Sequence, residues 1–219
     1  MNTSILIAGE HFPIINGLRA LTMNVLGGEV DIDTASNYPS VLKQLKDKKF
    51  DLLICDVFME GTESLTLLEK ALSLHPDIKI LVVSLNPSSI FAPRFLEAGA
   101  SGYISTTDTE DEFKKAIWQT HLGKKYIPKS IDYDPNTDRQ HKGIENPFHR
   151  LSKQEFSVLL ILLEGKGIKE VGNILDLKIS TASTYRMRIF NKLKVNNLME
   201  LSHLARLFKI NANNIHISN

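Results

Sequence analysis

Short apolar runs alternate with longer amphipathic stretches between residues 3 and 127. Most of the runs are apolar on both faces, which is typical of strands buried in a parallel sheet. The stretches between them place apolar residues on one helical face, and glycine or proline ends most of them. The predicted strands cover 4–9, 30–35, 51–57, 78–84 and 102–105. The predicted helices cover 13–26, 36–49, 62–74, 88–98 and 110–122.

This alternation predicts an α/β doubly wound fold, a five-stranded parallel sheet in the order 2-1-3-4-5 with helices on both faces. In such a sheet the functional crevice lies at the carboxyl ends of the strands. Those ends carry Gly9–Glu10, Asp56, Ser84 and Ser105–Thr106.

The pattern changes to helices alone between residues 151 and 212. Ser152 and Glu155 have the spacing of a capping box, and Ser180 is expected to cap the third of four helices. A short helix, a tight turn and a basic helix in the middle predict a separate all-α, four-helix helix-turn-helix domain. The predicted helices cover 151–164, 169–175, 180–194 and 198–207.

Periodicity disappears between these two parts. Residues 128–147 contain three prolines and many polar residues, and we interpret them as a linker. The expected domains are therefore a first domain at 1–127, a second at 148–212 and a tail at 213–219.

Charge divides the chain in the same place. The net charge is only +1, but residues 1–147 sum to −5 and residues 148–219 to +6. A basic helical domain indicates nucleic acid as its partner.

Other classes of protein are disfavoured by composition. The single cysteine, Cys55, excludes an internal disulfide framework, and the longest apolar runs are too short to cross a bilayer. We therefore expect a cytoplasmic protein with no membrane partner. No glycine-rich phosphate loop or nucleophile triad stands out, so we expect no enzymatic activity.

Two carboxylates are expected to meet at the carboxyl edge of the sheet. Asp56 ends the central strand and Glu10 follows the strand beside it. Together they are candidate ligands of Mg²⁺, which prefers oxygen, and Ser84 is a candidate contact of a phosphoryl oxygen. The alternative is structural, with Asp56 capping a loop and Glu10 solvated.

The first 125 residues resemble the receiver domain of bacterial two-component response regulators. The resemblance rests on ILIAGEHFPIINGLRAL, DLLICDVFMEG, ILVVS and FLEAGASGYIS. It implies that Asp56 is the phosphoacceptor, that Ser84 and Tyr103 form the switch pair, and that a sensor histidine kinase is the upstream partner.

The same resemblance shows three departures. Receivers usually place two acidic residues after the first strand, where this chain has Gly9 and Glu10. Their lysine after the fifth strand is replaced by Thr106, and a common proline by Glu60. These changes remove positive charge and a metal ligand, so we expect Asp56 to phosphorylate slowly or not at all. A fully phosphorylation-competent regulator is the alternative.

The second domain resembles the LuxR-type helix-turn-helix of response regulators in the nitrate/nitrite-regulator and FixJ-like group. The match runs through LSKQEFSVLLILLEGKGIKEVGNILDLKISTASTYRMRIFNKLKV, with Gly172 in place of a usual alanine and Tyr185 in place of a common histidine. It implies binding to double-stranded DNA. The candidate DNA-binding residues are Lys169, Thr181, Ser183, Thr184, Tyr185, Arg186, Met187, Arg188 and Lys192.

Among these residues the hydroxyls are expected to approach base edges and the cations to contact phosphates from one side of the domain. The alternative is a solvated basic face on a small helical bundle.

We therefore predict a two-domain transcription regulator that binds DNA as a homodimer. The outer edge of the last helix's apolar stripe, or the fourth and fifth helices of the receiver around Phe95 and Trp118, is the expected interface. A signalling adaptor whose helical domain binds protein is the remaining alternative.

Overall fold

A computed structural model gives the fold of the chain, which divides into two compact units, residues 1–139 and 140–219. The structure describes residues 3–28, 30–56, 59, 65–86, 88–128 and 146–210, without the side chains of 88–90. Most of the predicted linker and the whole predicted tail lie outside the described residues.

The first unit is a five-stranded parallel sheet flanked by helices, in the order β2-β1-β3-β4-β5. The prediction of fold class and strand order is confirmed. The strands are β1 (Thr3–Ala8), β2 (Val30–Ala35), β3 (Leu52–Cys55), β4 (Lys79–Ser84) and β5 (Gly102–Ser105). The helices are α1 (Phe12–Leu26), α2 (Tyr38–Asp47), α3 (Thr66–Leu74), α4 (Ser88–Glu97) and α5 (Glu110–His121).

The strand interiors form the core of this unit. All four residues of β3 are buried, because the strand has neighbours on both sides and helices on both faces. One contact was not predicted. Tyr126 forms a parallel bridge with Gly102 at the edge of β5, and its hydroxyl donates to Oε2 of Glu112 over 2.7 Å. The chain leaving α5 is thereby held against the sheet.

The second unit is helical, as predicted. A 3₁₀ turn at Pro147–Arg150 precedes α6 (Lys153–Leu163), α7 (Ile168–Leu175), α8 (Ile179–Leu193) and α9 (Leu198–Leu207). Its core consists of apolar side chains that face inward from all four helices, among them Val158, Val171, Ile189 and Leu204.

The helix starts test two cap predictions. The capping box of α6 is confirmed: the backbone N–H of Ser152 donates to Glu155 over 2.7 Å, and that of Glu155 donates to Oγ of Ser152 over 3.3 Å. The cap predicted at Ser180 is wrong. Helix α8 begins one residue earlier, with Lys178 as its N-cap, so Ser180 lies inside the first turn.

The turn between α7 and α8 depends on a close backbone approach. Asp176 has a left-handed φ of 51°, and the N–H of Leu177 donates to the carbonyl of Gly172 over 2.8 Å. A Cβ at Gly172 would lie 2.8 Å from the carbonyl oxygen of Leu177. With glycine at position 172, the carbonyl group of Leu177 can approach the helix backbone this closely.

Among the helices of the described part of the chain, none has the length and apolarity needed to cross a membrane.

Candidate DNA-binding helix and acidic cleft

The carboxyl ends of the strands form a narrow cleft. Glu10, His11, Asp56 and Thr106 line it together with apolar side chains. The N–H of Asp56 donates to the carbonyl of Ala8 over 3.0 Å, which continues the pairing of β3 with β1. The structure thus brings Glu10 and Asp56 to one cleft, as the topology requires.

Glycine at position 9 leaves one side of this cleft without a side chain. A Cβ at Gly9 would lie 3.9 Å from the Cβ of Asp56 and 3.8 Å from Cγ1 of Ile15, both ordinary contact distances. A larger residue at position 9 therefore fits, and its side chain would begin beside Asp56.

No lysine or arginine is among the described residues that line the cleft. Thr106 enters it from the end of β5, with its N–H donating to the carbonyl of Ser84 over 2.9 Å. Its hydroxyl oxygen is buried and finds no hydrogen-bond partner within the described residues. A threonine provides no charge that would compensate an anion at Asp56.

The resemblance to receiver domains implies a Mg²⁺ site in this cleft. Within the described residues, no group of three or more histidine, cysteine, aspartate or glutamate side chains is placed to hold a metal ion. Glu10 and Asp56 are the two carboxylates of the cleft, and Glu60 lies outside the described residues. The donor set is therefore smaller than the resemblance implies, and we derive no chemical step through a metal ion.

The two switch candidates meet through a residue that sequence analysis missed. Both the N–H and the side-chain amide of Asn86 donate to Oγ of Ser84, over 3.0 and 2.9 Å. The hydroxyl of Tyr103 donates to the carbonyl of Asn86 over 3.0 Å. Tyr103 is fully buried, and burial raises the pKa of its hydroxyl. Asn86 thus links β4 to β5.

Phe95 cannot act as an interface residue in this fold. Its ring is fully buried and stacks on Tyr103 with centroids 5.9 Å apart. The interface prediction is therefore wrong for Phe95, because α4 turns this side chain into the core. Trp118 on α5 is 47% exposed.

Helix α8 has one buried and one exposed face. Ala182, Ile189 and Leu193 are buried, at spacings of seven and four residues that keep them on one side of the helix. The opposite side carries Ser180, Thr184, Met187 and Asn191, which also repeat at helical spacing. We call these four residues the outer stripe.

Shallow grooves run on both sides of the outer stripe. One is lined by Thr181, Tyr185 and Arg188, the other by Ser183, Arg186 and Phe190, and Thr184 borders both. The expectation that the cations share one side is wrong for Arg186 and Arg188. Residues two apart in a helix point about 200° apart, so each arginine occupies its own flank.

Both units match known families. The response regulator receiver domain matches residues 5–118, and the bacterial regulatory proteins of the luxR family match residues 149–205. The chain belongs to the response regulators. With its LuxR-type helix-turn-helix it is a DNA-binding transcription regulator, and that prediction is confirmed.

Similar response regulators align along nearly the whole chain. Response regulator GacA of Pseudomonas aeruginosa is 30% identical over 208 residues, which cover 92% of this chain and 94% of GacA. Response regulator UvrY of Escherichia coli K12 is 27% identical over 203 residues, which cover 92% and 93%.

Solved structures of RcsB share the fold. RcsB of Salmonella enterica serovar Typhimurium bound to the promoter P1flhDC aligns with a TM-score of 0.65 and 22% identity, covering 95% of this chain and 100% of that one. Another RcsB–DNA complex aligns with a TM-score of 0.63 and 23% identity, covering 93% and 98%.

Two predicted phosphate contacts of this response regulator have different surroundings. Lys169 is exposed in the first turn of α7. Lys192 instead donates to Oε2 of Glu155 over 2.7 Å and to the carbonyl of Arg150 over 3.2 Å. Lys192 thus has protein partners that its sequence position did not reveal.

Proposed function

We propose that this response regulator binds double-stranded DNA as a homodimer through α8, and that binding does not require phosphorylation of Asp56. The observation that carries the first part is the outer stripe of α8, which is exposed except at the half-buried Thr184 and has one arginine on each flank. A helix fits the major groove, where its outer face meets base edges and its flanks meet the two sugar–phosphate backbones.

The candidate residues then take three roles. Side chains on the outer stripe and along its borders approach bases: Thr181, Ser183, Thr184, Tyr185 and Met187. Arg186 and Arg188 neutralise phosphates on opposite sides of the groove. Lys169 reaches a phosphate from the first turn of α7, while Lys192 acts mainly by holding α8 in place.

A homodimer follows from the size of the reading surface. One helix reads only a few base pairs, and a two-fold dimer doubles the contact with a symmetric site. RcsB is described as two dimers bound to two parallel DNAs, which agrees with this proposal.

The acidic cleft supports the second part of the proposal. A phosphoryl group on Asp56 carries nearly two negative charges and needs cations or donors to hold it. Gly9 adds no ligand and Thr106 adds no charge to the cleft. We propose that the receiver domain serves as a constitutive dimerisation or ligand-sensing module. In the alternative, a phosphorylation-competent regulator, Mg²⁺ and a sensor histidine kinase would be its partners.

We propose a cytoplasmic transcription factor without enzymatic activity. Its domains are 1–127 and 148–212, joined by the linker 128–147.

The test is selection of DNA from a random pool by the full chain, with and without acetyl phosphate and Mg²⁺. We expect one enriched, two-fold symmetric site under both conditions. Arg188→Ala should weaken binding to that site and lower the salt slope by about one. Arg19→Ala, which removes the same charge from exposed α1, is the matched control. No enrichment, or enrichment only with acetyl phosphate, would contradict the proposal.

A further inference from the structure

The middle of the outer stripe carries an exposed apolar side chain. Met187 is 59% exposed although it is a large apolar side chain. Its neighbour one turn earlier, Thr184, donates its hydroxyl proton to the carbonyl of Ser180 over 2.9 Å. Because this donor is used inside the helix, Thr184 offers a base its methyl group and an acceptor oxygen.

The stripe contains no charged side chain. Its members are Ser180, Thr184, Met187 and Asn191, whereas the arginines lie on the flanks. Bidentate contacts to guanine come most often from arginine or lysine. Apolar groups instead contact the 5-methyl group of thymine, and asparagine can pair with the N6 and N7 edge of adenine.

An exposed methionine and a threonine methyl group on this face of α8 are thus both suited to contact the 5-methyl group of thymine. We propose that α8 reads A·T base pairs in the major groove, with Met187 and the methyl group of Thr184 packed against thymine 5-methyl groups. This inference rests on the proposed DNA-binding function and names the bases that the stripe recognises.

Uracil tests it directly, because uracil differs from thymine only by the missing 5-methyl group. In the selected site, each thymine is replaced in turn by uracil in both half-sites. Affinities of the full chain are measured by fluorescence anisotropy at fixed salt. Loss of one buried methyl group is worth about 0.8 kcal/mol, which corresponds to about fourfold for each half-site.

Protein variants assign the contact. For Met187→Ala, replacing thymine by uracil at one position of the site should no longer change the affinity. For Met187→Leu, the ratio of the two affinities should stay as in the wild type. Thr184→Val, which keeps the methyl group, and Thr184→Ser, which keeps the hydroxyl, form a second matched pair. Arg186→Ala should weaken binding to both sites and leave their ratio unchanged. Met187 is exposed, so melting curves should show its variants folded.

The outcomes separate the two claims. If the random pool yields no preferred site, the proposed function fails and this inference fails with it. If a site is bound but no uracil replacement changes affinity, DNA binding stands and the thymine contact is overturned. The same holds if both Met187→Ala and Thr184→Ser keep the full thymine preference.

Discussion

The ammonium group of Lys192 lies 2.7 Å from Oε2 of Glu155, a carboxylate that is only 3% exposed. The backbone N–H of Ser152 donates to the same oxygen over 2.7 Å. Burial alone raises the pKa of Glu155, but these hydrogen bonds outweigh it and hold the pKa below its usual value. The pair joins the start of α6 to the last turn of α8 and so holds α8, the proposed DNA-binding helix, against α6.

Removing Lys192 should therefore affect stability more than phosphate contact. Lys192→Met keeps the alkyl chain but leaves a buried carboxylate with one charged partner fewer. We expect the free energy of unfolding of the helical unit to fall by about 1–3 kcal/mol, measured by urea denaturation. Arg188→Ala, on the exposed flank, should change it by less than about 0.5 kcal/mol.

The opposite pattern would restore the sequence-based role of Lys192. An unchanged urea midpoint for Lys192→Met, with a salt slope of DNA binding reduced by about one, would identify it as a phosphate contact.

His203 should make the helical unit sensitive to mild acid. Burial, with the charge of Arg206 adding to it, lowers the pKa of His203 from 6.5 to about 4. Between these values the unfolded chain binds a proton that the folded chain does not, so stability falls as pH decreases from 6.5 towards 4. We expect a loss of about 1–3 kcal/mol over this range, and a flatter profile for His203→Gln. Identical pH profiles of the two proteins would refute this.

Gly172→Ala should destabilise the helix-turn-helix although alanine favours helices. The added Cβ would meet a backbone oxygen at 2.8 Å, which the turn can relieve only by moving. We expect a net loss of about 1–2 kcal/mol in urea denaturation. The control is Gly17→Ala in α1, where nothing lies within 4 Å of the new Cβ. There we expect a gain of about 0.5–1 kcal/mol. A stabilised Gly172→Ala protein would show that the turn is not tightly packed.

Asp56 should be phosphorylated faster when the carboxylate missing at position 9 and the cation missing at position 106 are supplied. Gly9→Asp adds a third carboxylate to the cleft, next to Asp56 and without a steric clash, and Thr106→Lys adds a cation to the same cleft. We expect the double variant to acquire one phosphoryl group from acetyl phosphate and Mg²⁺ faster than the wild type, measured by intact mass. Adding Asp56→Asn should abolish the gain. Equal rates in wild type and double variant would mean that these two positions do not limit the chemistry.

Repeating patterns made the architecture predictable. Each buried strand is a continuous apolar run, and the α9 segment was predicted with the bounds that it has, Leu198–Leu207. The capping box at Ser152 was also predictable, because it depends on residues three apart. The start of α8 was not, since its N-cap, Lys178, makes no side-chain cap that a sequence would reveal.

Long-range contacts account for what the sequence did not reveal. The pair of Lys192 with Glu155 joins residues 37 apart, and Asn86 meets Tyr103 across 17 residues. The opposite flanks of Arg186 and Arg188 follow from helix geometry and were within reach of sequence analysis. The strand ends predicted that Gly9 and Thr106 border the cleft. The space beside Asp56 was not predictable from the sequence, because it depends on distances between residues far apart in the chain.

The affinity of Asp56→Asn for the selected site, beside that of the wild type, shows whether DNA binding depends on phosphorylation. Both proteins are titrated with DNA before and after incubation with acetyl phosphate and Mg²⁺, and intact mass records any modification. We expect the affinities of all four samples to agree within about a factor of three, a difference in binding free energy below about 0.7 kcal/mol. Stoichiometric phosphorylation of the wild type at Asp56, with a tenfold gain in affinity that Asp56→Asn lacks, would contradict this expectation.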